Sequence, residues 1–479
     1  MTTLAFLHQP IMRCLWLFIS KPKTTILCSF NKVKVHHVHA LLIKFIVLIA
    51  LLFFSNCKPK PVINSQKTVH IDHVKEKYTL YWHGKPFVIK GAAGYTNLKK
   101  LKEAGGNTIR TWDTTNLEAI LNEADLNHLA VIVGLPMPYS KNPFTDKLDL
   151  FYTDSAQLTK MFNSYTLLVK KYRNHPSILF WCIGNELDFP YKPNYNPFYT
   201  AINHIVDVIH TLDPNHPVTT TIINFQRRNI INIKFKTKID VISFNVFGDI
   251  RSINKDLKDF EWLWDGPFLI TEWGIDGPWA DHERTLWGAY IEPTSTKKAE
   301  QNLAIYKQFM PVSNPGFLGS LVFYWGHKQE YTSTWFSLFD ENGAASETVG
   351  TMQYIWTSKW PQHTAPPINY MLVNSKGARD NILFKPDTLT YAQLYMANAD
   401  TVGLSYKWQI QAEDWYKTSR DANQNKQKPV EHLFISQKNT TVSFRTPLKE
   451  GPYRVFVTVY DRYGNFSTAN VPFYVVDNK

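Results

Sequence analysis

Two short runs carry an apolar, β-prone stretch directly into a carboxylate. They are Trp181-Cys182-Ile183-Gly184-Asn185-Glu186 and Leu269-Ile270-Thr271-Glu272-Trp273-Gly274. A glutamate at the end of a buried strand is costly to desolvate unless something uses it. Two carboxylates facing each other across a cleft are what glycoside hydrolysis needs. One attacks the anomeric carbon; the other protonates the departing oxygen and later activates water. The chemistry therefore depends on which elements hold positions 186 and 272, and on whether those elements face each other.

The middle of the chain alternates short β-rich runs with longer helical patterns, which points to parallel α/β architecture. Strands are expected at 87–91, 107–111, 130–134, 177–183, 217–221, 240–245, 268–271 and 319–325. Helical periodicity fills the gaps. Within 116–127 it places Leu117, Ile120, Leu121 and Ala124 on one face, and 155–172 and 297–309 look similar. Eight such repeats in about 300 residues fit a (β/α)8 TIM barrel, whose chemistry lies at the C-terminal ends of its strands. Strands four and seven then stand on opposite sides of the mouth. A doubly wound sheet is the alternative, but Gly91-Ala92-Ala93-Gly94 after the first strand is too short for a dinucleotide fingerprint.

Beyond Pro361 the pattern changes. Ala365-Pro366-Pro367 marks a linker, and alternation such as Leu404, Tyr406, Trp408 and Ile410 indicates short strands without helices. This predicts a small all-β immunoglobulin-like sandwich, without a disulfide because no cysteine pair is available there. At the other end, the ten apolar residues 45–54 have the length of a signal-peptide core rather than of a membrane span. Phe54-Ser55-Asn56-Cys57 resembles a bacterial lipobox, so Cys57 is the expected lipidation site of an exported protein anchored to a bacterial membrane on its periplasmic or surface face. Lys58-Pro59-Lys60-Pro61 follows as an extended tether. The expected divisions are a signal segment (1–57), a tether leading into the barrel (58–80), the barrel (81–360) and the sandwich (361–479).

Composition narrows the classes. The 479 residues are 44% apolar and 14% aromatic, which excludes a disordered chain. Net charge is +12, but residues 1–57 hold six basic and no acidic side chains, so half the excess has its own explanation in the signal segment. No basic stripe remains, and no nucleic-acid partner is expected. Of four cysteines only Cys182 lies in the globular part; a cysteine-based metal site there is excluded, and Cys182 reads as an inert core thiol. Neither metal nor organic cofactor is implied.

Several motifs in order make a family resemblance specific. Gly184-Asn185-Glu186 after an apolar strand and Thr271-Glu272-Trp273-Gly274 later resemble the clan A glycoside hydrolases, most of all the family 2 type catalytic barrel. Ile109-Arg110-Thr111-Trp112, His175-Pro176-Ser177 and Val322-Phe323-Tyr324-Trp325 add to it. The resemblance implies Glu186 as acid/base and Glu272 as nucleophile, with an oligo- or polysaccharide as substrate. It further implies that Asn185 holds the sugar 2-hydroxyl, that Arg110 hydrogen-bonds the nucleophile and keeps it ionised, and that Trp325 forms the floor under the reacting sugar. On strand six the family often has a tyrosine touching the nucleophile. This chain has Asn245-Val246-Phe247, with Tyr324 as the alternative source of a hydroxyl. Asn245, Trp112, Trp273 and Tyr324 complete the expected sugar-binding set.

Other readings attach to the same residues. Trp112, Trp273 and Trp335 could equally be core packing. Asp113 and Asp188 read as rim groups, and Gln329 and Glu330 as a solvated loop. The leading function is a retaining glycoside hydrolase acting on β-linked glycans. A transglycosidase with the same residues, a non-catalytic glycan-binding lipoprotein and a structural surface protein are the alternatives.

Overall fold

The computed structural model describes residues 67–142, 144–280, 283–398, 402–413 and 427–477. The expected signal segment, Cys57 and the Lys58–Pro61 tether lie outside the described residues.

Eight parallel strands close into a barrel in sequential order. They are β1 (Ile89–Ala93), β2 (Thr108–Arg110), β3 (Ala130–Leu135), β4 (Ile178–Ile183), β5 (Val218–Ile223), β6 (Val241–Asn245), β7 (Phe268–Trp273) and β8 (Phe317–Phe323). The helices between and after them are α1 (Leu98–Glu103), α2 (Leu117–Leu126), α3 (Ser155–Tyr172), α4 (Asn196–Leu212), α5 (Arg227–Lys236), α6 (Ile253–Phe260), α7 (Ser295–Phe309) and α8 (Glu347–Thr357). Each forms where one apolar stripe can be buried. In α2 the buried residues are Leu117, Ile120, Leu121 and Ala124. In α3 the Asp154 side chain accepts from the amides of Ala156 and Gln157, satisfying two donors that a helix start leaves open.

Alternation along the strands divides two cores. Val131, Val133, Trp181 and Ile270 join the helices in an outer layer, whereas Ala130, Ile132, Cys182 and Leu269 fill the barrel. Higher inside, the inward positions are polar: Thr219 and Ser243 share a 2.6 Å hydrogen bond, with Thr221, Thr271, Asn245 and Arg110 above them. Such buried polar groups must satisfy one another, and this requirement shapes the site.

The described segment before the barrel is folded. Val69–Val74, Lys77–Trp82 and Lys85–Pro86 form a three-stranded antiparallel sheet. Val69 and Leu80 join the inner core, and backbone amides of Val69 and Tyr78 bond to Asn215 and Pro315, in the loops that lead into β5 and β8. This sheet covers the N-terminal end of the barrel, opposite the site. Within the stretch expected as tether and barrel entry (58–80), residues 69–80 are folded structure, held by apolar side chains that the barrel floor buries.

After α8, two four-stranded sheets face each other. One is ordered Ile368–Val373, Leu389–Met396, Thr441–Arg445, Phe434–Lys438; the other Leu383–Phe384, Phe466–Val475, Gly451–Tyr460, Ser405–Ala412. Val373, Ala392, Val442 and Phe444 of the first meet Trp408, Ile410, Val455 and Phe473 of the second in one core. The described barrel and sandwich belong to one compact unit.

Candidate active site

Arg110 closes β2 and is 1% exposed, so its charge must be answered inside the protein. Its Nη1 donates to Glu272 Oε1 at 2.7 Å and to Asn245 Oδ1 at 3.3 Å. Its Nη2 donates to Asn185 Oδ1 at 2.6 Å and Thr221 Oγ1 at 3.3 Å. One guanidinium thereby ties together β2, β5, β6, β7 and the loop after β4. Only a planar, multi-donor group can reach acceptors in such different directions.

Asn245, the last residue of β6, links the two carboxylates. Its Oδ1 accepts from Arg110 and from Thr271 Oγ1 at 2.9 Å, which fixes the amide's orientation. Its Nδ2 then donates to Glu186 Oε1 at 2.9 Å and to Asn185 Oδ1 at 3.2 Å. Glu186 is half-buried and has a left-handed backbone, φ 56°. A non-glycine residue held there costs of order 1–3 kcal/mol. Gly184 makes the turn feasible: its φ is +70°, and a Cβ would lie 2.4 Å from Leu187 Cδ1.

The pairing of β7 explains how Glu272 faces inward. Its register against β6 shifts between Ile270 and Glu272, and against β8 between Ile270 and Trp273. This irregularity lets two consecutive side chains, Thr271 and Glu272, enter the barrel, where strict alternation would allow one. Glu272 is 5% exposed and also accepts from Trp112 Nε1 at 2.7 Å. Arg110 alone would depress the carboxyl's pKa, as expected from the sequence. Burial outweighs it: desolvation, opposed by Arg110 and the Trp112 N–H and reinforced by Glu186, pushes Glu272 up to about 7.

The structure separates the expected aromatic residues. Trp112 is half-buried, and its ring stacks on Tyr324 at 5.7 Å and 26°. These two, with the edge of Phe323 at 6.1 Å from Trp112, line the mouth. Trp273 and Trp325 are both fully buried and belong to the outer layer. Trp273 lies against Tyr306 of α7, turned out by the β7 irregularity. Trp325 lies against Phe339 and against Trp356 of α8, and its indole N–H donates to Asn97 O. Both are packing residues, and the expectation that they meet the sugar is corrected. Tyr324, one residue earlier, is half-buried and stands beside Trp112. Trp335, 1% exposed, donates to Asp276 O and also packs.

Phe247 adds no hydroxyl. Its ring joins Phe323, Trp279 and Phe336 in an apolar wall. Asp188 stands on the rim, paired with Arg228 at 2.9 Å and Lys141 at 3.6 Å, and Asp113 caps the Thr115 amide. Cys182 is buried, with Thr221 Oγ1 and Gly184 O 3.5 Å from its sulfur. Glu330 departs from the solvated-loop expectation: its side chain is 13% exposed and lies 3.3 Å from Lys328. Lys328 and Thr221 were not singled out from the sequence. A charge after the Trp325-Gly326 turn and a threonine on β5 resemble many others until the barrel closes. Among the described residues, no group of three or more His, Cys, Asp and Glu side chains is disposed to hold a metal ion.

One family model agrees with the barrel. Residues 73–279 match the family model "Glycosyl hydrolases family 2, TIM barrel domain". A β-glucuronidase of Streptococcus agalactiae is 27% identical over 204 residues, which are 39% of this chain and 33% of that protein. The chain thus matches about a third of its curated relative's length. Among solved structures, a β-D-glucuronidase of Dictyoglomus thermophilum aligns with TM-score 0.47 and 20% identity, over 62% of this chain and 54% of the other. An endo-β-1,4-mannanase of Thermotoga petrophila aligns with TM-score 0.40 and 14% identity, over 82% and 99%. The matched segment 73–279 runs from the sheet beneath the barrel through β7 and includes both Glu186 and Glu272, so this chain carries a TIM barrel of the glycosyl hydrolase family 2 type.

Proposed function

We propose that the protein is a retaining glycoside hydrolase acting on β-linked glycans, with Glu272 as nucleophile and Glu186 as acid/base. The observation that carries this reading is the unequal treatment of two linked carboxylates. Glu272 is buried and gripped by Arg110 and the Trp112 N–H; Glu186 is half-exposed and held through Asn245. A fixed, desolvated carboxylate suits attack, and a more accessible one suits exchange of protons with a leaving group and with water.

In the first step a Glu272 oxygen forms a bond to the anomeric carbon as the glycosidic C–O bond breaks. Glu186 gives its proton to the departing oxygen. In the second, Glu186 takes a proton from water, whose oxygen displaces Glu272 and restores the carboxylate. Asn185 Oδ1 is occupied by Arg110 and Asn245, so its Nδ2 is the group that would meet the sugar 2-hydroxyl. Trp112 and Tyr324 offer aromatic faces to the ring's C–H edges.

Azide tests the assignment. With Glu272→Ala, azide should attack an activated β-glycoside directly and give an inverted glycosyl azide. With Glu186→Ala, Glu272 attacks first, and azide should resolve the intermediate with retained configuration. Loss of Glu186 should slow substrates with poor leaving groups by about 10²–10⁴-fold. The same configuration from both variants would exclude these roles. We further propose, from the sequence alone, that Cys57 is lipidated and holds the exported protein at a membrane. Among the described residues no helix is long and apolar enough to cross one.

A further inference from the structure

We propose that Lys328 and Glu330, in the loop after β8, are the specificity-determining pair for the reacting sugar, and that this sugar is uncharged, two of its hydroxyls bridging the ammonium and the carboxylate. The inference rests on the glycoside hydrolase reading above and narrows it to a substrate class.

Lys328 Nζ lies 3.3 Å from Glu330 Oε2, with the two side chains 22% and 13% exposed. The same Nζ sits 5.5 Å and 5.6 Å from the ring centres of Phe323 and Tyr324. Tyr324 stacks on Trp112, whose indole N–H is bonded to Glu272. The pair is therefore in the wall beside the nucleophile. The loop holding it is fixed: the Lys328 amide donates to Ser337 Oγ at 2.8 Å, Ser337 Oγ donates to Ser333 O at 2.8 Å, and Glu330 and Thr332 exchange backbone hydrogen bonds.

Charge decides what this wall can accept. Arg110 is committed to Glu272, and Lys328 to Glu330. Farther out, Lys141 is paired with Asp146 and Asp188, Arg228 with Asp188, and Arg251 with Asp276. Against these stands Glu186, whose named partner, Asn245, is neutral. A sugar carboxylate would enter a space that already holds three carboxyl groups, with Arg110 and Lys328, the cations beside the nucleophile, already paired. Separating an ion pair to free Lys328 would leave Glu330 buried without its counter-charge. Burial, with Glu186 adding to it and Lys328 opposing, already holds the Glu330 carboxyl above its ordinary range. A hydroxyl both donates and accepts, so a neutral sugar can accept from Lys328 with one hydroxyl and donate to Glu330 with the next, leaving the charge balance unchanged.

Covalent labelling tests this without knowledge of the natural glycan. The probes are cyclophellitol-type aziridines in gluco, galacto and manno configurations, each with a neutral C6 and as the C6-carboxylate. The full chain is incubated with each, and the rate of mass gain is measured. The faster neutral probe should exceed its carboxylate counterpart by at least about tenfold, the value of one charge-assisted hydrogen bond. Glu330→Gln should reduce that ratio, and Lys328→Met should slow the neutral probe, with thermal melting reporting whether each variant is folded. A carboxylate probe that labels as fast or faster overturns the proposal, as does a ratio unchanged in folded Glu330→Gln. A folded wild-type chain labelled at Glu272 by none of the probes overturns the two-glutamate reading itself, an outcome separate from a wrong preference.

Discussion

Asn470 of the sandwich donates from Nδ2 to Glu292 Oε2 of the barrel at 2.8 Å, and neither residue is more than 6% exposed. Glu292 lies between β7 and α7. It also accepts from Lys298 of α7 and from Thr332 and Thr334 of the β8 loop. Arg454 completes the cluster, bonding Glu413, Asn470 and the Tyr290 carbonyl. Burial raises the Glu292 carboxyl, but Lys298 and Arg454 outweigh it and hold the group below the ordinary range. The sandwich thus helps to hold the loop that carries Lys328 and Glu330.

A chain ending at Lys359 would leave Glu292 without Arg454 and Asn470 and expose the buried face of α7. A separable sandwich, as the change of sequence pattern suggests, would leave this fragment folded and active. We expect instead that it is insoluble or has lost turnover. In the full chain, Lys298→Met should cost about 3–5 kcal/mol, because it strands a buried carboxylate. Urea unfolding measures it, and a loss below about 1 kcal/mol would show the cluster to be unimportant.

The pH dependence follows from Glu272. Its carboxyl is pushed up to about 7, and in the proposed role of nucleophile only the ionised form can attack. The kcat/KM of the free enzyme should therefore fall as pH drops through about 7. Trp112→Phe keeps a ring but removes the N–H that favours the anion, so the pKa rises and the acid limb moves to higher pH. An acid limb near 4.5 in the wild type would mean that Arg110 outweighs burial.

The two kinds of tryptophan should respond differently. Trp273→Ala removes a fully buried side chain and should destabilise by about 3–5 kcal/mol. Trp273→Phe should fold with KM little changed, because the ring is buried in the outer layer of the barrel. Trp112→Ala should raise KM and lower kcat with a smaller loss of stability. A KM effect confined to Trp273→Phe would reverse the assignment.

The lipid proposal makes a separate prediction. Labelled palmitate should enter the protein in a bacterial host, and Cys57→Ser should abolish it. Incorporation that survives the substitution would remove the lipobox reading.

Much of this protein is determined locally and is legible in the chain. Short β-rich runs between helical patterns marked the positions of all eight barrel strands, because a strand buried on both faces is apolar along most of its length and a helix with one buried face carries a period. Glu186 and Glu272 stood out because carboxylates at the ends of apolar strands are costly without partners, and Arg110 and Asn185 because the motifs around them resemble those of a known family. What only the tertiary structure decided depends on contacts between distant segments. The irregular pairing of β7 turned Trp273 outward, the helices claimed Trp325, and barrel closure brought Asn245 between the glutamates. The balance between burial and Arg110 at Glu272, and the pairing of Lys328 with Glu330 beside it, are likewise sums over several strands. No single stretch of sequence holds the terms of such a sum, so electrostatics and side-chain facing had to wait for the fold.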